Sequence, residues 1–254
     1  MTPAPAVTVV SVVLNGARHL RDCLQSVANQ QGIAVEHVVI DGGSTDGSVG
    51  LLEQWSDRLA FWSSEPDTGI AAAMNKGLRQ AHGEWVVFLH ADDYFPDSNA
   101  LATAVAQVDR QVDAAAFPVF FGTPPNLKLV KPRPVGAMFN LKLGMCHQGM
   151  LTRRQLFARV GDHDTSFQIA MDYEFFLRAH RNGARLVTYR TPTLAVMRDT
   201  GVSSRVDWPS LKKRFREDRS IHFRHARGPM QRLAYRFYWL LYLPYRRLRA
   251  VLRS

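Results

Sequence analysis

Acidic residues all but vanish from the end of this chain. Residues 211–254 hold 13 Lys or Arg against only Glu217 and Asp218, a local charge of +11, while the preceding 210 residues balance to −1. A neutral body with no recognisable binding module excludes nucleic acid as the expected partner. Cysteine is scarce as well. Cys23 and Cys146 match no metal or redox spacing, so neither a disulfide framework nor a thiolate metal site is expected, and a reducing compartment is favoured. Long apolar runs are missing too, and no stretch reaches the ~18–20 residues that cross a bilayer. The opening "MTPAPAVTVVSVVLN" lacks the basic start of a leader and is rich in β-branched residues, so it reads as a first strand. No internal repeat is found. What remains is ordinary globular composition, 46% hydrophobic and 21% charged over 254 residues, enough for one large α/β domain or two small ones.

Along the body, strand and helix patterns alternate at short intervals. "VTVVSVVL" (7–14), "EHVVI" (36–40), "LAFWSS" (59–64) and "EWVVFL" (84–89) read as strands, and "HLRDCLQSVANQQG" and "IAAAMNKGLRQA" as helices between them. A further helix begins near Asp46 or Ser48, either of which can cap it. That order predicts a mostly parallel, doubly wound sheet flanked by helices, with ligands at the carboxyl ends of its strands. After Pro96 the pattern loosens. "SNALATAVAQV", "RRQLFARVG" and "DYEFFLRAHRNG" read as helices, "AAAFPVFFG" as a strand made edge-like or bulged by Pro118, "TPPNLKLVKPRP" as a loop or short hairpin, and "RLVTY" as the last strand. The body is expected to span residues 1–205 and the basic tail 206–254.

Polar clusters sit where the strands end. Asp92 and Asp93 close the fourth strand, and neighbouring carboxylates there either shape a turn or serve as hard oxygen ligands for Mg²⁺ or Mn²⁺ carrying a diphosphate. Asp41 ends the second strand in "VVIDGGSTDGS", where Gly42 and Gly43 permit close backbone approach to a ligand. Asp172 starts a helix, whose positive end favours an ionised carboxylate, as a plain cap or as a base. Glu174, two positions on, points elsewhere.

Taken together, "VTVVSVVLNGARHLRDCLQSV", "VVIDGGSTDGS", "SEPDTGIAAAMNKGLRQAHGEWVVFLHADD" and "HQGMLTRR…MDYEFFLR" resemble family 2 glycosyltransferases of the GT-A (Rossmann-like) fold, the bacterial type that assembles surface polysaccharide such as capsule or O-antigen. The resemblance covers about residues 7–190. It implies an inverting, metal-dependent transfer of a sugar from a nucleotide-diphosphate sugar to a lipid-linked saccharide. Asn15 and Asp41 would line the nucleotide pocket, with Asp41 on the base. Asp67 would close over the donor, and Asn75 and Lys76 would lie near its nucleotide or phosphates. "HADD" occupies the place of the metal-binding D-x-D, giving Asp92, Asp93 and His90 as metal-site residues for Mn²⁺ or Mg²⁺. Asp172 would be the catalytic base. His147 and Gln148 resemble the acceptor-side wall, His147 being equally readable as a structural histidine. Two positions depart from the pattern: His90 replaces the usual first acid, and Ala72 stands where relatives carry one. The rivals are a non-catalytic sugar-nucleotide-binding scaffold, and a nucleotidyltransferase, for which "VVLNGARHL" is a poor phosphate loop.

For the tail, Leu233, Phe237, Leu240, Leu241 and Leu248 share a helical face flanked by Arg232, Arg236, Arg246, Arg247 and Arg249. With Trp239, Tyr238 and Tyr242 at headgroup level, this predicts a basic amphipathic helix on an anionic membrane, kinked or split at Pro244. Packing on the body or in a homodimer is the alternative. A cytoplasmic protein, peripheral on the inner face of the membrane, is the resulting expectation.

Overall fold

The computed structural model describes residues 5–201 and 207–251. Its centre is the first strand, β1 (Val7–Val13), whose consecutive apolar residues are covered on both faces. Val10 points into the layer beneath α3 and α6, while Val7 and Val9 point to the opposite layer. β1 pairs in parallel with β2 (Val35–Asp41) on one side and β4 (Trp85–Phe88) on the other; β2 also pairs in parallel with β3 (Phe61–Ser64). The full order is β3-β2-β1-β4-β8-β5-β9, with β5 at Ala114–Ala116, β8 at Met150–Arg153 and β9 at Leu186–Thr188. Only β8 runs antiparallel to its neighbours. The expected mostly parallel sheet is therefore present.

Helices cover both faces: α1 (Ala17–Ala28), α2 (Ser48–Trp55) and α4 (Ala100–Gln107) on one, α3 (Ile70–Arg79), α5 (Arg154–Val160) and α6 (Met171–Arg181) on the other. α3 lies close against the sheet because Gly77 faces β1; a Cβ there would stand 2.4 Å from Val10 Cγ1.

Two expectations change. The "AAAFPVFFG" segment is two strands, not one: at Pro118 the chain leaves the main sheet for β6 (Val119–Phe121), since proline cannot donate a ladder hydrogen bond. β6 forms a small second sheet with β7 (Lys128–Val130) and β10 (Ala195–Met197). β9 is accordingly not the last strand.

The expected boundary at residues 205 and 206 lies outside the described residues. Beyond it, α7 (Trp208–Arg224) and α8 (Gly228–Val251) pair with each other around Phe215, Tyr235 and Trp239. α7 is tied to the body: Ile221 enters the main core, and His222 bonds the Leu141 carbonyl at 3.1 Å. Trp239, expected at a membrane surface, is instead buried and donates its indole N–H to His222 Nδ1 at 3.0 Å. α8 continues through Pro244, so the split that was one expectation there does not occur.

Candidate active site

The carboxyl ends of β1 and β4, the start of α6 and one side of α7 enclose a cleft of about 1030 Å³, the size of a substrate pocket. Asn15, Asp67, His90, Asp92, Asp93, His147, Gln148 and Asp172 all line it. Eight of the eleven expected site residues, distant in sequence, thus meet in one cavity.

Asp92 and Asp93 have different environments. Asp93 is 2% exposed, and both its oxygens are engaged: Gln148 Nε2 donates to Oδ2 at 2.9 Å and the Arg198 backbone N–H to Oδ1 at 3.1 Å. Burial, reinforced by the charge of Asp92, pushes its carboxyl up to about 8, so at neutral pH Asp93 is mostly protonated. Asp92 is only half-buried, and Thr200 Oγ1 donates to its Oδ2 at 2.9 Å. Arg198 binds this corner together, with Nη1 on the Asp92 carbonyl (2.6 Å), Nη2 on Asp22 (2.6 Å) and its guanidinium over Tyr94. Beside it, the His90 and His147 rings meet edge to face at 4.8 Å. His90 Nδ1 and His147 Nε2 are buried without a partner, and burial lowers both rings' pKa, keeping them neutral.

Asp172 stands in the first turn of α6 and accepts the Tyr173 N–H at 2.7 Å. The helix start favours the charged form, as expected, but burial outweighs it and lifts the carboxyl to about 6, against the pull of the Tyr173 N–H and Arg214. The result is an ionised carboxylate at neutral pH with more basicity than a surface aspartate. The turn that carries it is capped from outside: Glu217 of α7 accepts the N–H groups of Gln168 (3.1 Å), Ile169 (2.8 Å) and Ala170 (2.8 Å). Glu174 points away, into an ion pair with Arg178 and a contact with His225, each at 3.0 Å.

Three expected residues do not line the cleft. Asp41 is fully buried and builds the following loop, accepting from the N–H groups of Gly43 (3.0 Å) and Ser44 (2.9 Å) and from Ser64 Oγ (2.6 Å). Asn75 clamps both backbone groups of His163 at 2.8 and 3.0 Å, and Lys76 pairs with Glu65. The glycines after Asp41 make room for protein rather than ligand; a Cβ on Gly42 would meet Asp67 Oδ2 at 2.8 Å. Asn15 latches the same loop, its Oδ1 accepting the Thr45 N–H at 2.9 Å, while its own N–H donates to Ser44 Oγ at 2.7 Å.

Sequence reasoning missed Arg198 and Thr200, delivered by β10, and Lys142, Lys213 and Arg214, which also line the cleft. β10 is three residues between prolines and basic residues, too short for a periodicity signal. Lys213 and Arg214 were hidden among the charges of the tail.

The glycosyl transferase family 2 model matches residues 8–200, which includes every lining residue of this cleft except Gly201 and those of α7. The chain belongs to glycosyltransferase family 2. An uncharacterized glycosyltransferase of Mycobacterium tuberculosis is 35% identical over 187 residues, 70% of each chain. A PGL/p-HBAD biosynthesis glycosyltransferase of Mycobacterium bovis is 28% identical over 83% of this chain and 84% of its own. Among solved structures, the Pyrobaculum calidifontis mannosyltransferase PcManGT in complex with GDP-Man and Mn²⁺ superposes with a TM-score of 0.69 at 22% identity, over 98% of this chain and 74% of that one. S. aureus TarS 1-349 with UDP-GlcNAc gives 0.68 at 20% identity, over 88% and 68%; this chain spans only 39% of the longer TarS chain. These likenesses show the GT-A fold. For a family 2 enzyme, a divalent cation is the implied cofactor. Among the described residues no three His, Cys, Asp or Glu side chains are grouped to hold one. Asp92 fits as a single carboxylate ligand, whose shell a diphosphate would complete; Asp93, buried with its oxygens taken by Gln148 and the Arg198 N–H, does not.

Proposed function

We propose that this glycosyltransferase moves a sugar, with inversion, from a nucleotide-diphosphate sugar to a saccharide carried on a lipid at the cytoplasmic face of a membrane. The observation that carries the reading is the meeting of Asp92 and Asp172 in one cleft, both half-buried, the second a carboxylate whose basicity desolvation raises. A cation held at Asp92, Mg²⁺ or Mn²⁺, would neutralise charge on the departing diphosphate. Asp172 takes the proton of the acceptor hydroxyl as its oxygen bonds to the sugar C1, and the bond from C1 to the diphosphate oxygen breaks with its electron pair. Attack from the face opposite the leaving group inverts the anomeric centre. Arg198 fixes the Asp92–Asp93 turn, so the donor end is set before substrate arrives. His147 and Gln148 stand beside the Asp92 corner, Gln148 holding Asp93.

The membrane part rests on α8. Its inner face packs Tyr235 and Trp239 on α7, while Leu233, Phe237, Leu240, Leu241 and Leu248 on the outer face are more than half exposed, with arginines alongside. Among the described residues no helix is long and apolar enough to cross a membrane. An apolar stripe edged with Arg suits the interface of an anionic bilayer.

The test is Asp172→Asn, which removes the base and keeps the shape. Donor binding within about twofold of wild type, with transfer reduced by at least a hundredfold, is the expected outcome. Transfer at near wild-type rate would remove Asp172 from the mechanism.

A further inference from the structure

The cleft is cationic at both ends, and one end has no work in the donor reaction. At the first, Arg18 and Arg198 gather round Asp92 and Asp22. At the second, Lys142, Lys213 and Arg214 line the wall beside Asp172 and Asp218. Arg133 stands just behind, its backbone N–H on the Gly144 carbonyl at 2.8 Å, two residues from Lys142. Cys146 lies between the ends and feels charges of both, Asp93 from one and Asp172, Arg214 and Lys142 from the other.

The second end is unfinished electrostatically. The side chains of Arg133, Lys142 and Arg214 make no hydrogen bond or ion pair with any described residue. Their acidic neighbours, Asp172 and Asp218, are half-buried and form no ion pair with them. Burial, then the charge of Arg214, lowers the Lys142 ammonium below its usual range. Like charges converging without partners cost free energy that a bound anion returns. α7, which carries Lys213 and Arg214, is also the helix on which α8 packs while turning its apolar stripe outward. A lipid-borne molecule whose tail lies against α8 therefore has its polar head at this end of the cleft.

We infer that Lys142, Lys213 and Arg214, backed by Arg133, form a subsite for the phosphate or diphosphate joining the acceptor saccharide to its lipid. The inference rests on the glycosyl-transfer reading and adds to it the group that joins saccharide to lipid and the residues that would hold it. Arg214 and Lys142 reach the phosphate oxygens, and the first sugar then lies toward Asp172, its hydroxyl at the carboxylate.

The probe is inorganic pyrophosphate, titrated by calorimetry into the full chain in EDTA, with neither donor nor metal present. Wild type is expected to bind it. Lys142→Gln/Arg214→Gln is expected to weaken binding at least tenfold, one charge-assisted hydrogen bond being worth roughly that factor. Arg18→Gln, at the opposite end, keeps wild-type affinity. Neither cation of the double variant bonds a described residue, so its circular dichroism stays at wild type and its thermal midpoint does not fall. Sedimentation with vesicles of 30% phosphatidylglycerol separates the sources of phosphate: the double variant is expected to co-sediment as wild type does. Three results would overturn the inference: unchanged pyrophosphate affinity in the double variant, loss confined to Arg18→Gln, or lost vesicle binding with pyrophosphate binding intact. None of them depends on nucleotide, so failure here leaves nucleotide binding as a separate test of glycosyl transfer.

Discussion

Glu217→Ala tests whether α7 belongs to the catalytic machinery, and its cost can be worked from the geometry. The Glu217 carboxylate accepts three N–H groups at the start of α6, and their fates differ once it is gone. Gln168 is exposed, so its N–H rehydrates at little cost. Ile169 is half-buried, and losing a bond to a charged acceptor there costs about 1 kcal/mol; Ala170 is 5% exposed and its orphaned N–H costs about 1–2 kcal/mol. The total is about 2–3 kcal/mol, at or above the ~2 kcal/mol top of the range for losing a single-bond helix cap, as three bonds would give. For a chain of this size that lowers the thermal midpoint by roughly 5–10 °C. Scanning calorimetry measures the stability, and a kcat against pH series measures the chemistry. Glu217 raises the pKa of Asp172 by its charge, so Glu217→Gln, which keeps an acceptor, moves the acidic limb of kcat to lower pH. A midpoint within 1 °C of wild type in Glu217→Ala, with an unmoved acidic limb in Glu217→Gln, would refute the reasoning.

The remaining predictions concern the base and the membrane face. Asp172 lies at about 6 against a usual value near 3.8, so it is protonated as pH falls through 6, and kcat is expected to fall tenfold per unit below that point; a limb centred near 4 would show that burial does not govern it. The same raised value means folding favours the protonated carboxyl, so Asp172→Asn is expected to unfold at or above the wild-type temperature at pH 8, as a midpoint series against pH would show. Replacing Leu233, Phe237, Leu240 and Leu241 with Ser is expected to weaken binding to anionic vesicles by at least about a hundredfold, each partly exposed side chain contributing roughly 1 kcal/mol at the interface. Unchanged co-sedimentation would remove α8 from the membrane.

The main sheet was readable because its strands are buried on both faces, and a short β-branched run such as Val7–Val13, broken only by Thr8 and Ser11, has few other uses. The motifs at the strand ends located the cleft for the same reason: the topology carries the ends of β1 and β4 to one edge. Individual duties were harder to read. Asp41 and Asn75 are polar residues that hold backbone in place, and sequence does not separate a carboxylate that accepts N–H groups from one that accepts a ligand's. Asp92 and Asp93 are identical side chains one residue apart, yet alternation along the turn leaves one half-buried and buries the other, which lifts the carboxyl of Asp93. The contribution of α7 was hidden for another reason. Its cations repeat the composition of the tail, and only long-range bonds, those of Glu217 and His222 and that of Lys213 to Gln168, show that this side of α7 faces the cleft. The apolar positions of α8 divide into two faces, and the sequence gives no sign of which one packs on α7; Trp239 falls on the packed side.

The central claim is that the Asp92 end of the cleft holds a nucleoside diphosphate through a divalent cation. Calorimetric titration of UDP, GDP, dTDP and CDP into wild type and Asp92→Asn, with and without Mn²⁺, tests it most directly. The account predicts that one nucleotide binds wild type with Mn²⁺ and binds at least tenfold more weakly without it, and that Asp92→Asn abolishes the metal's effect. Equal affinity with and without Mn²⁺, or an Asp92→Asn variant that responds to the metal as wild type does, would contradict it.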